Sequence, residues 1–224
     1  MSSLYYNISI EGTIGVGKTS LANLIAKKTN AKRFFSVSTD KACDPVNFLG
    51  ASKRLMEYAL GYYSNQLITS SARFGNVAFS QGSLLHSCEN RIYHNQPLVA
   101  PKDVKRYFLT EEEASRLSIL ATFNSKSGEL FVPNIKKSSA QSDFPSIIRK
   151  LLRQKGYKML EVKSENTARK LAKNIKNKKE WPCLLFHSDT TGEKNEEFFL
   201  SSRDKIKNKK FKEIEIVDIS NLRK

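Results

Sequence analysis

Short apolar strands alternate with amphipathic helices along most of the chain, and this alternation is the strongest constraint on its fold. The run Phe34–Ser38 (FFSVS) is typical of a buried strand, and Gly50–Tyr63 after it carries apolar side chains at helical spacing. The alternation returns later, where the predicted helix Phe144–Gln154 is followed by the strand YKMLEVKS, a helix and the strand WPCLLF. Strands separated by helices usually pair in parallel. The sequence therefore predicts an α/β fold with a parallel sheet.

A glycine-rich loop follows the first predicted strand, Tyr5–Glu11. Residues Gly12–Ser20 read GTIGVGKTS and fit the pattern G-x-x-x-x-G-K-[ST], and a predicted helix starts at about Lys18. In such a loop the backbone N–H groups face phosphate oxygens, the lysine reaches the outer phosphates, and the threonine hydroxyl binds magnesium. The predicted phosphate-binding residues are Gly12, Gly15, Gly17, Lys18 and Thr19.

The front segment, about residues 5–32, resembles the N-terminus of bacterial deoxynucleoside kinases in the run IEGTIGVGKTSL. This resemblance implies that ATP–Mg²⁺ binds at the loop. The later parts of such a kinase are missing from the sequence, because no arginine-rich lid and no suitably placed acidic base follow. Two other interpretations remain open. The loop could simply close the first βα unit, or it could bind a dinucleotide with unusual glycine spacing.

The net charge of +16 raises the question of nucleic-acid binding. From Pro145 onward there are 21 Lys and Arg residues against 11 Asp and Glu, so this part supplies +10 of the excess. Most of these cations lie on predicted helix faces with few aromatic residues between them to stack on bases. We interpret them as a solvated surface and do not expect a nucleic-acid partner.

The cysteine content and the hydropathy of the sequence indicate the cellular compartment in which the protein is expected. Cys43, Cys88 and Cys183 are few and scattered, which suits a reducing cytoplasm and predicts neither a disulfide framework nor a metal site. No stretch approaches the roughly 18 apolar residues that a membrane span requires. The sequence therefore predicts a cytoplasmic protein without a membrane partner.

An acid and an amine stand side by side directly after the strand Phe34–Ser38. Thr39, Asp40 and Lys41 follow that strand, and Lys53 lies twelve residues beyond Lys41 on the next predicted helix. Ligands of open parallel sheets bind at the carboxyl ends of the strands. Burial and mutual charge can tune an adjacent acid and amine for proton transfer. Taken alone, the same pair could be a surface ion pair.

The segment Ser38–Arg54 (STDKACDPVNFLGASKR) resembles the motif S-T-D-K-A-x-x-P-x-N-x-[YM]-G-A-[ST]-K-R. That motif is typical of the nucleotide-sugar 4,6-dehydratases of the polysaccharide-biosynthesis group, within the extended short-chain dehydrogenase/reductase superfamily. The resemblance continues through ARFGNVAFSQGSLL, PLVAPKDVKRYFLTEEEASRL, GELFVPNIKK and WPCLLFHSDTTGEKNEEFF, and covers about residues 34–220.

This resemblance implies a redox-neutral dehydration of a UDP-N-acetylhexosamine. A bound NADP or NAD takes hydride from C4, water leaves across C5–C6, and hydride returns to C6. The resemblance implies that Thr39 contacts the 4-hydroxyl region, that Asp40 is the acid and Lys41 the base, and that Lys53 binds the nicotinamide ribose. The residues that it implies for the UDP-sugar are Arg73, Asn76 and Arg106, of which Arg106 is a natural pyrophosphate partner.

The chain departs from that family pattern in two places. Leu49 stands where the family has a catalytic tyrosine or, in some members, methionine, and leucine cannot move a proton. Another group, Lys41 or a residue outside this chain, must then deprotonate the 4-hydroxyl. Only five residues connect Lys28 to Phe34, where the family has its remaining βα units and most of the cofactor floor. We therefore expect a homo-oligomer or a partner chain to supply that half.

The predicted architecture has three segments. Residues 1–33 form a P-loop-like βα element, residues 34–144 the C-terminal half of a Rossmann-like dehydratase domain, and residues 145–224 a small basic α/β extension. The sheet is thus an incomplete Rossmann-like parallel sheet. Three hypotheses for function follow: a sugar-nucleotide dehydratase-like protein, an ATP-binding kinase-like protein, and an inactive fusion or fragment. The polar run Asp189–Lys194 could edge an active site or form a turn, and its composition favours a turn.

Overall fold

The computed structural model of the chain describes residues 26, 28, 29, 31–134, 141–175, 179–208 and 211–221. Outside these residues lie the predicted first strand and the predicted phosphate-binding residues Gly12, Gly15, Gly17, Lys18 and Thr19. Within the described part, no helix is long and apolar enough to cross a membrane.

Helices and strands alternate along the described residues. The helices are α1 (Phe48–Tyr63), α2 (Leu84–Tyr93), α3 (Glu111–Phe123), α4 (Phe144–Gln154) and α5 (Glu165–Ala172). The strands are β1 (Arg33–Thr39), β2 (Ile68–Phe74), β3 (Asn76–Val77), β4 (Leu98–Pro101), β5 (Lys105–Arg106), β6 (Phe108–Leu109), β7 (Glu129–Pro133), β8 (Ser142–Asp143), β9 (Lys158–Val162), β10 (Glu180–Phe186), β11 (Lys205–Asn208) and β12 (Ile214–Asp218). This order confirms the predicted α/β class.

Capping side chains fix where the helices begin. At the start of α3, Thr110 accepts a hydrogen bond from the backbone N–H of Glu113, and the Glu113 side chain accepts one from the backbone of Thr110. This capping box sets the start of α3 at Glu111. The other four helices also have a polar N-cap side chain that accepts a backbone N–H; these residues are Asn47, Ser83, Asp143 and Ser164.

The main sheet has five strands in the order β1-β2-β7-β12-β11. β1, β2 and β7 are parallel, as predicted, whereas β12 runs antiparallel to both of its neighbours. Successive side chains of β7 point to opposite faces. Leu130 and Val132 pack with Met56 and Leu60 of α1, while Phe131 packs with α3. Helices therefore cover both faces, as in a Rossmann-like sheet.

A second, parallel sheet has the order β4-β10-β9. Its core forms where α2, α4 and α5 pack on these strands around Trp181, whose indole N–H donates to the Gln96 carbonyl at 3.0 Å. Each of these two sheets pairs a strand from before the predicted boundary at residue 144 with a strand from after it: β4 with β10, and β7 with β12. The division into residues 1–33, 34–144 and 145–224 stays a prediction.

Candidate active site

The end of β1 brings the three predicted catalytic residues into one hydrogen-bonded unit. Thr39 caps a 3-10 turn, Asp40–Ala42, and its hydroxyl donates to Asp40 Oδ1 at 2.8 Å. Lys41 Nζ donates to the same oxygen at 3.1 Å. The unit lies at the carboxyl end of a parallel strand, the place where ligands bind in open α/β sheets.

Asp40 is the most enclosed member of this unit. Its residue exposure is 0%, while the side chain of Lys41 is 25% exposed. Asp40 Oδ2 is buried and has no hydrogen-bonding partner among the described residues. A buried carboxyl oxygen without a donor is costly, so this atom is available to accept a hydrogen bond from a ligand.

Close contact with the first turn of α1 positions the 3-10 turn Asp40–Ala42. A Cβ atom at Gly50 would lie 2.3 Å from the Lys41 carbonyl oxygen, so only glycine permits this approach. Asn47 caps the helix by accepting the Gly50 N–H at 2.8 Å. Leu49, in the first turn of α1, is partly buried and has no group that could transfer a proton. Farther along α1, Lys53 Nζ donates to the Val37 carbonyl of β1 at 3.0 Å.

The loop after β10 closes over the same turn. Lys194 Nζ donates to the Cys43 carbonyl at 2.6 Å, and Asn47 Nδ2 donates to the Gly192 carbonyl at 2.9 Å. Arg106, which is 3% exposed, donates to Glu193 Oε1 at 2.7 Å. The polar run Asp189–Lys194 does turn at Gly192, where φ is +74°, and its last residues also edge the site.

Glu197 follows the loop after β10 and is a buried carboxyl group that no pattern in the sequence singles out. Burial raises the pKa of its carboxyl, and the charge of Asp40 raises it further, while Lys194, Lys41 and Arg106 act in the opposite direction. Lys194 Nζ lies 3.4 Å from Glu197 Oε2, but not in hydrogen-bond geometry. In the sequence Glu197 is one of two adjacent glutamates, and nothing local separates it from its half-buried neighbour Glu196.

Arg73 lies in a different environment from the one that the resemblance implies. It is fully buried, and its guanidinium donates to both carboxyl oxygens of Glu57, to both of Asp204 and to the Phe199 carbonyl. All five of its N–H groups are directed at protein acceptors. Arg73, on β2, thus connects that strand to α1 through Glu57 and to the segment before β11 through Phe199 and Asp204. Its role toward substrate stays a prediction.

Asn76 lies on a neighbouring cleft. It belongs to β3, which pairs with β6, and it lines a cleft of about 350 Å³ together with Ser80, Gln81 and Phe108. No hydrogen bond connects Asn76 to the Asp40 turn within the part of the chain that the structure describes. The structure therefore joins Thr39, Asp40 and Lys41 in one unit and ties Arg106, through Glu193, to the loop that covers this unit. Asn76 lines a separate cleft, and Arg73 is enclosed.

Comparison with known proteins identifies relatives of this chain. A family model described as "Polysaccharide biosynthesis protein" matches residues 10–218. The capsular polysaccharide biosynthesis protein CapD of Staphylococcus aureus is 33% identical over 163 residues, which are 69% of this chain and 27% of that protein. A UDP-N-acetylglucosamine 4,6-dehydratase (inverting) of Campylobacter jejuni is 30% identical over 115 residues, which are 48% of this chain and 34% of that protein. The chain thus spans about a quarter to a third of these relatives.

A solved structure shares the fold over nearly the whole chain. The X-ray structure of Pen from Bacillus thuringiensis matches 93% of this chain and 58% of its own, with a TM-score of 0.72 and 21% identity. None of these comparisons supports the resemblance of residues 5–32 to deoxynucleoside kinases.

Proposed function

The chain belongs to the polysaccharide biosynthesis protein family, and from this premise we propose that it binds a UDP-N-acetylhexosamine and dehydrates it with NADP or NAD. The relative from Campylobacter jejuni carries out the same class of reaction by its name. The observation that carries the proposal is the unit of Thr39, Asp40 and Lys41, with a buried carboxyl oxygen of Asp40 that lacks a partner among the described residues.

The contact between Asp40 and Lys41 suits an acid and a base that act in one reaction. In the ion pair the proton is on Lys41 Nζ, 3.1 Å from Asp40 Oδ1. Transfer of that proton to Asp40 produces a neutral acid and a neutral amine without changing the total charge of the buried unit. These are the forms needed to protonate the departing 6-hydroxyl and to remove the proton from C5.

Three further residues have proposed roles in holding the reactants. Thr39 orients Asp40 through its 2.8 Å hydrogen bond and has its hydroxyl at the mouth of β1, where it would contact the 4-hydroxyl. Lys53, held on α1 beside β1, would bind the nicotinamide ribose. When bound, the cofactor supplies hydride acceptance and return. Arg106 would bind the pyrophosphate in exchange for its present partner, Glu193.

The test is product formation by the full chain. We expect incubation with UDP-N-acetylglucosamine and NADP or NAD to yield a 4-keto product lighter by one water, detected by mass spectrometry. Lys41→Ala should abolish it, because no other amine contacts Asp40 among the described residues. Lys170→Ala is the matched control, since Lys170 is exposed on α5, which packs on the other sheet. Equal loss in both variants would contradict the role of Lys41.

A thermal-shift panel separates the other hypotheses. A ligand that binds only the folded state raises the melting temperature according to its concentration relative to Kd. We expect stabilisation by UDP-N-acetylglucosamine and by NADP or NAD. Stabilisation by ATP–Mg²⁺ alone would favour the kinase-like hypothesis, and no stabilisation by any of them would favour an inactive fragment. Specific activity that rises with protein concentration would indicate that a second copy completes the cofactor site.

A further inference from the structure

The 3-10 turn Asp40–Ala42 has little internal support for the precision that a catalytic acid and base need. Its backbone hydrogen bond runs from the Cys43 N–H to the Asp40 carbonyl at 3.0 Å, and a 3-10 turn of three residues is weak by itself. The chain leaves the turn through Asp44, whose φ of +43° lies in the left-handed region and needs support from the surroundings. The position of the turn must therefore depend on contacts from elsewhere in the chain.

Lys194 supplies such a contact from the loop after β10. Its ammonium donates to the Cys43 carbonyl at 2.6 Å, so both backbone groups of Cys43 are engaged at the end of the turn. A hydrogen bond from a charged donor is stronger than a neutral one. Glu197 Oε2 lies 3.4 Å from the ammonium and balances its charge, and the side chain of Lys194 is 18% exposed. Partial burial strengthens the contact, because less water competes for the ammonium.

A second attachment holds the same loop two residues earlier. The Gly192 carbonyl accepts a hydrogen bond from Asn47 Nδ2 at 2.9 Å, and a Cβ atom at Gly192 would lie 2.8 Å from the Val46 carbonyl oxygen. Val46 and Asn47 connect the turn to α1. The loop is thus fastened to the chain that leaves the turn, and Lys194 is its attachment nearest to the acid and the base.

The residues on either side of Lys194 hold the side chain proposed to bind the pyrophosphate. Arg106 donates to Glu193 Oε1 at 2.7 Å and to the Asn195 carbonyl at 3.3 Å. One short backbone segment therefore contacts both Arg106 and the end of the catalytic turn. The contact made by Lys194 sets the position of the turn relative to Arg106.

We propose that Lys194 is a positioning residue for the dehydration. Its ammonium holds the Cys43 carbonyl and so fixes the turn that carries the acid and the base, relative to the pyrophosphate that Arg106 would bind. The inference rests on the proposed function, and Lys194 itself takes no part in the proton transfers. A displacement of about 1 Å at the reacting groups can lower a rate about 100-fold. Loss of the ammonium should therefore slow the reaction more than it weakens substrate binding.

The kinetic test uses the full chain with UDP-N-acetylglucosamine and NADP or NAD. Lys194→Met keeps the apolar part of the side chain and removes the ammonium, so we expect kcat to fall about 10- to 100-fold with KM changed less than about threefold. Lys194→Arg keeps a cationic donor and should recover most of kcat. Lys155→Met is the matched control, because Lys155 also forms an ion pair, 3.3 Å from Glu89, but lies at the end of α4, which packs on the other sheet. It should have the wild-type kcat.

A labelling measurement tests whether Lys194 acts through the turn. All three cysteines are buried: Cys43 is 2% exposed, while Cys88 and Cys183, in the core of the second sheet, are 1% and 0% exposed. Alkylation followed by mass spectrometry should be faster at Cys43 in Lys194→Met, with Cys88 and Cys183 reacting at their wild-type rates. A lowered kcat with unchanged labelling of Cys43 overturns the positioning role, because the turn has then kept its place.

The two measurements together separate failure of this role from failure of the proposed function. An active wild type whose Lys194→Met variant has the same kcat overturns the positioning role alone. A folded wild type that forms no 4-keto product refutes the dehydration, and the labelling of Cys43 then decides by itself whether Lys194 holds the turn. If all three cysteines react faster in Lys194→Met, that variant unfolds globally. Lys194→Gln then takes its place with the same expected results, because its amide nitrogen is one bond closer to the backbone and carries no charge.

Discussion

Replacement of Arg73 by methionine should destabilise the protein strongly, because the guanidinium compensates two buried carboxylates. The side chains of Arg73, Glu57 and Asp204 are 0% exposed, and Arg73 makes five hydrogen bonds of 2.6–3.5 Å within this cluster. Arg54 also contacts Glu57 and Asp204, at 3.0 and 3.2 Å. In Arg73→Met, Arg54 would balance only one of the two negative charges.

The expected loss in the free energy of unfolding is about 3–5 kcal/mol, the usual cost of removing one partner of a buried ion pair. A domain has about 5–15 kcal/mol of total stability, so the loss should be obvious in urea denaturation. Burial alone would raise the pKa of Asp204, but hydrogen bonds and charge from Arg73 outweigh it and lower the pKa below its ordinary value of 3.8. This stabilisation is present above pH 3.8 and is lost as the pH falls through the folded pKa. The difference between wild type and variant should therefore shrink in acid.

The matched control is Arg169→Met. Arg169 also forms an ion pair, with Glu165 on α5, but its side chain is 69% exposed and that of Glu165 is 62% exposed. Exposed pairs of this kind contribute less than about 1 kcal/mol. The reasoning fails if Arg73→Met costs no more than Arg169→Met, or if its cost is the same at every pH. Unchanged stability with weaker UDP-sugar binding would instead favour a direct role of Arg73 toward substrate.

Three further predictions concern the site and its supports. Gly50→Ala should destabilise the protein by more than about 1 kcal/mol, although alanine favours helices, because the new Cβ would lie 2.3 Å from the Lys41 carbonyl; a gain in melting temperature would contradict this. Burial, and secondly the charge of Asp40, raise the pKa of Glu197, so the wild-type protein loses stability as the pH rises from 4.5 toward the pKa of the folded state. Glu197→Gln lacks this loss and should therefore gain most stability relative to wild type at high pH, which urea titrations across pH test. Thr110→Ala should cost about 0.5–2 kcal/mol through loss of the capping box with Glu113, measured by thermal unfolding.

Much of the fold was predictable from local pattern. The strand before Asp40, the helix after Asn47 and the capping box at Thr110 depend on residues close together in the chain, so period and capping chemistry identify them. The unit of Thr39, Asp40 and Lys41 is predictable for the same reason, because three consecutive residues at a strand end must lie together. The apolar and polar residues of β12 alternate as in a strand, but its antiparallel pairing beside β7 depends on the rest of the sheet.

The sequence by itself determined the alternation of strands and helices and the chemistry at the end of β1. Only the tertiary structure decided which distant charges meet there. It enclosed Arg73 between Glu57 and Asp204, and it brought Lys194 to the Cys43 carbonyl, 151 residues earlier in the chain. The physical reason is that burial and pairing are properties of the packed chain. An arginine or a glutamate has the same local pattern whether its partners are water or another buried charge.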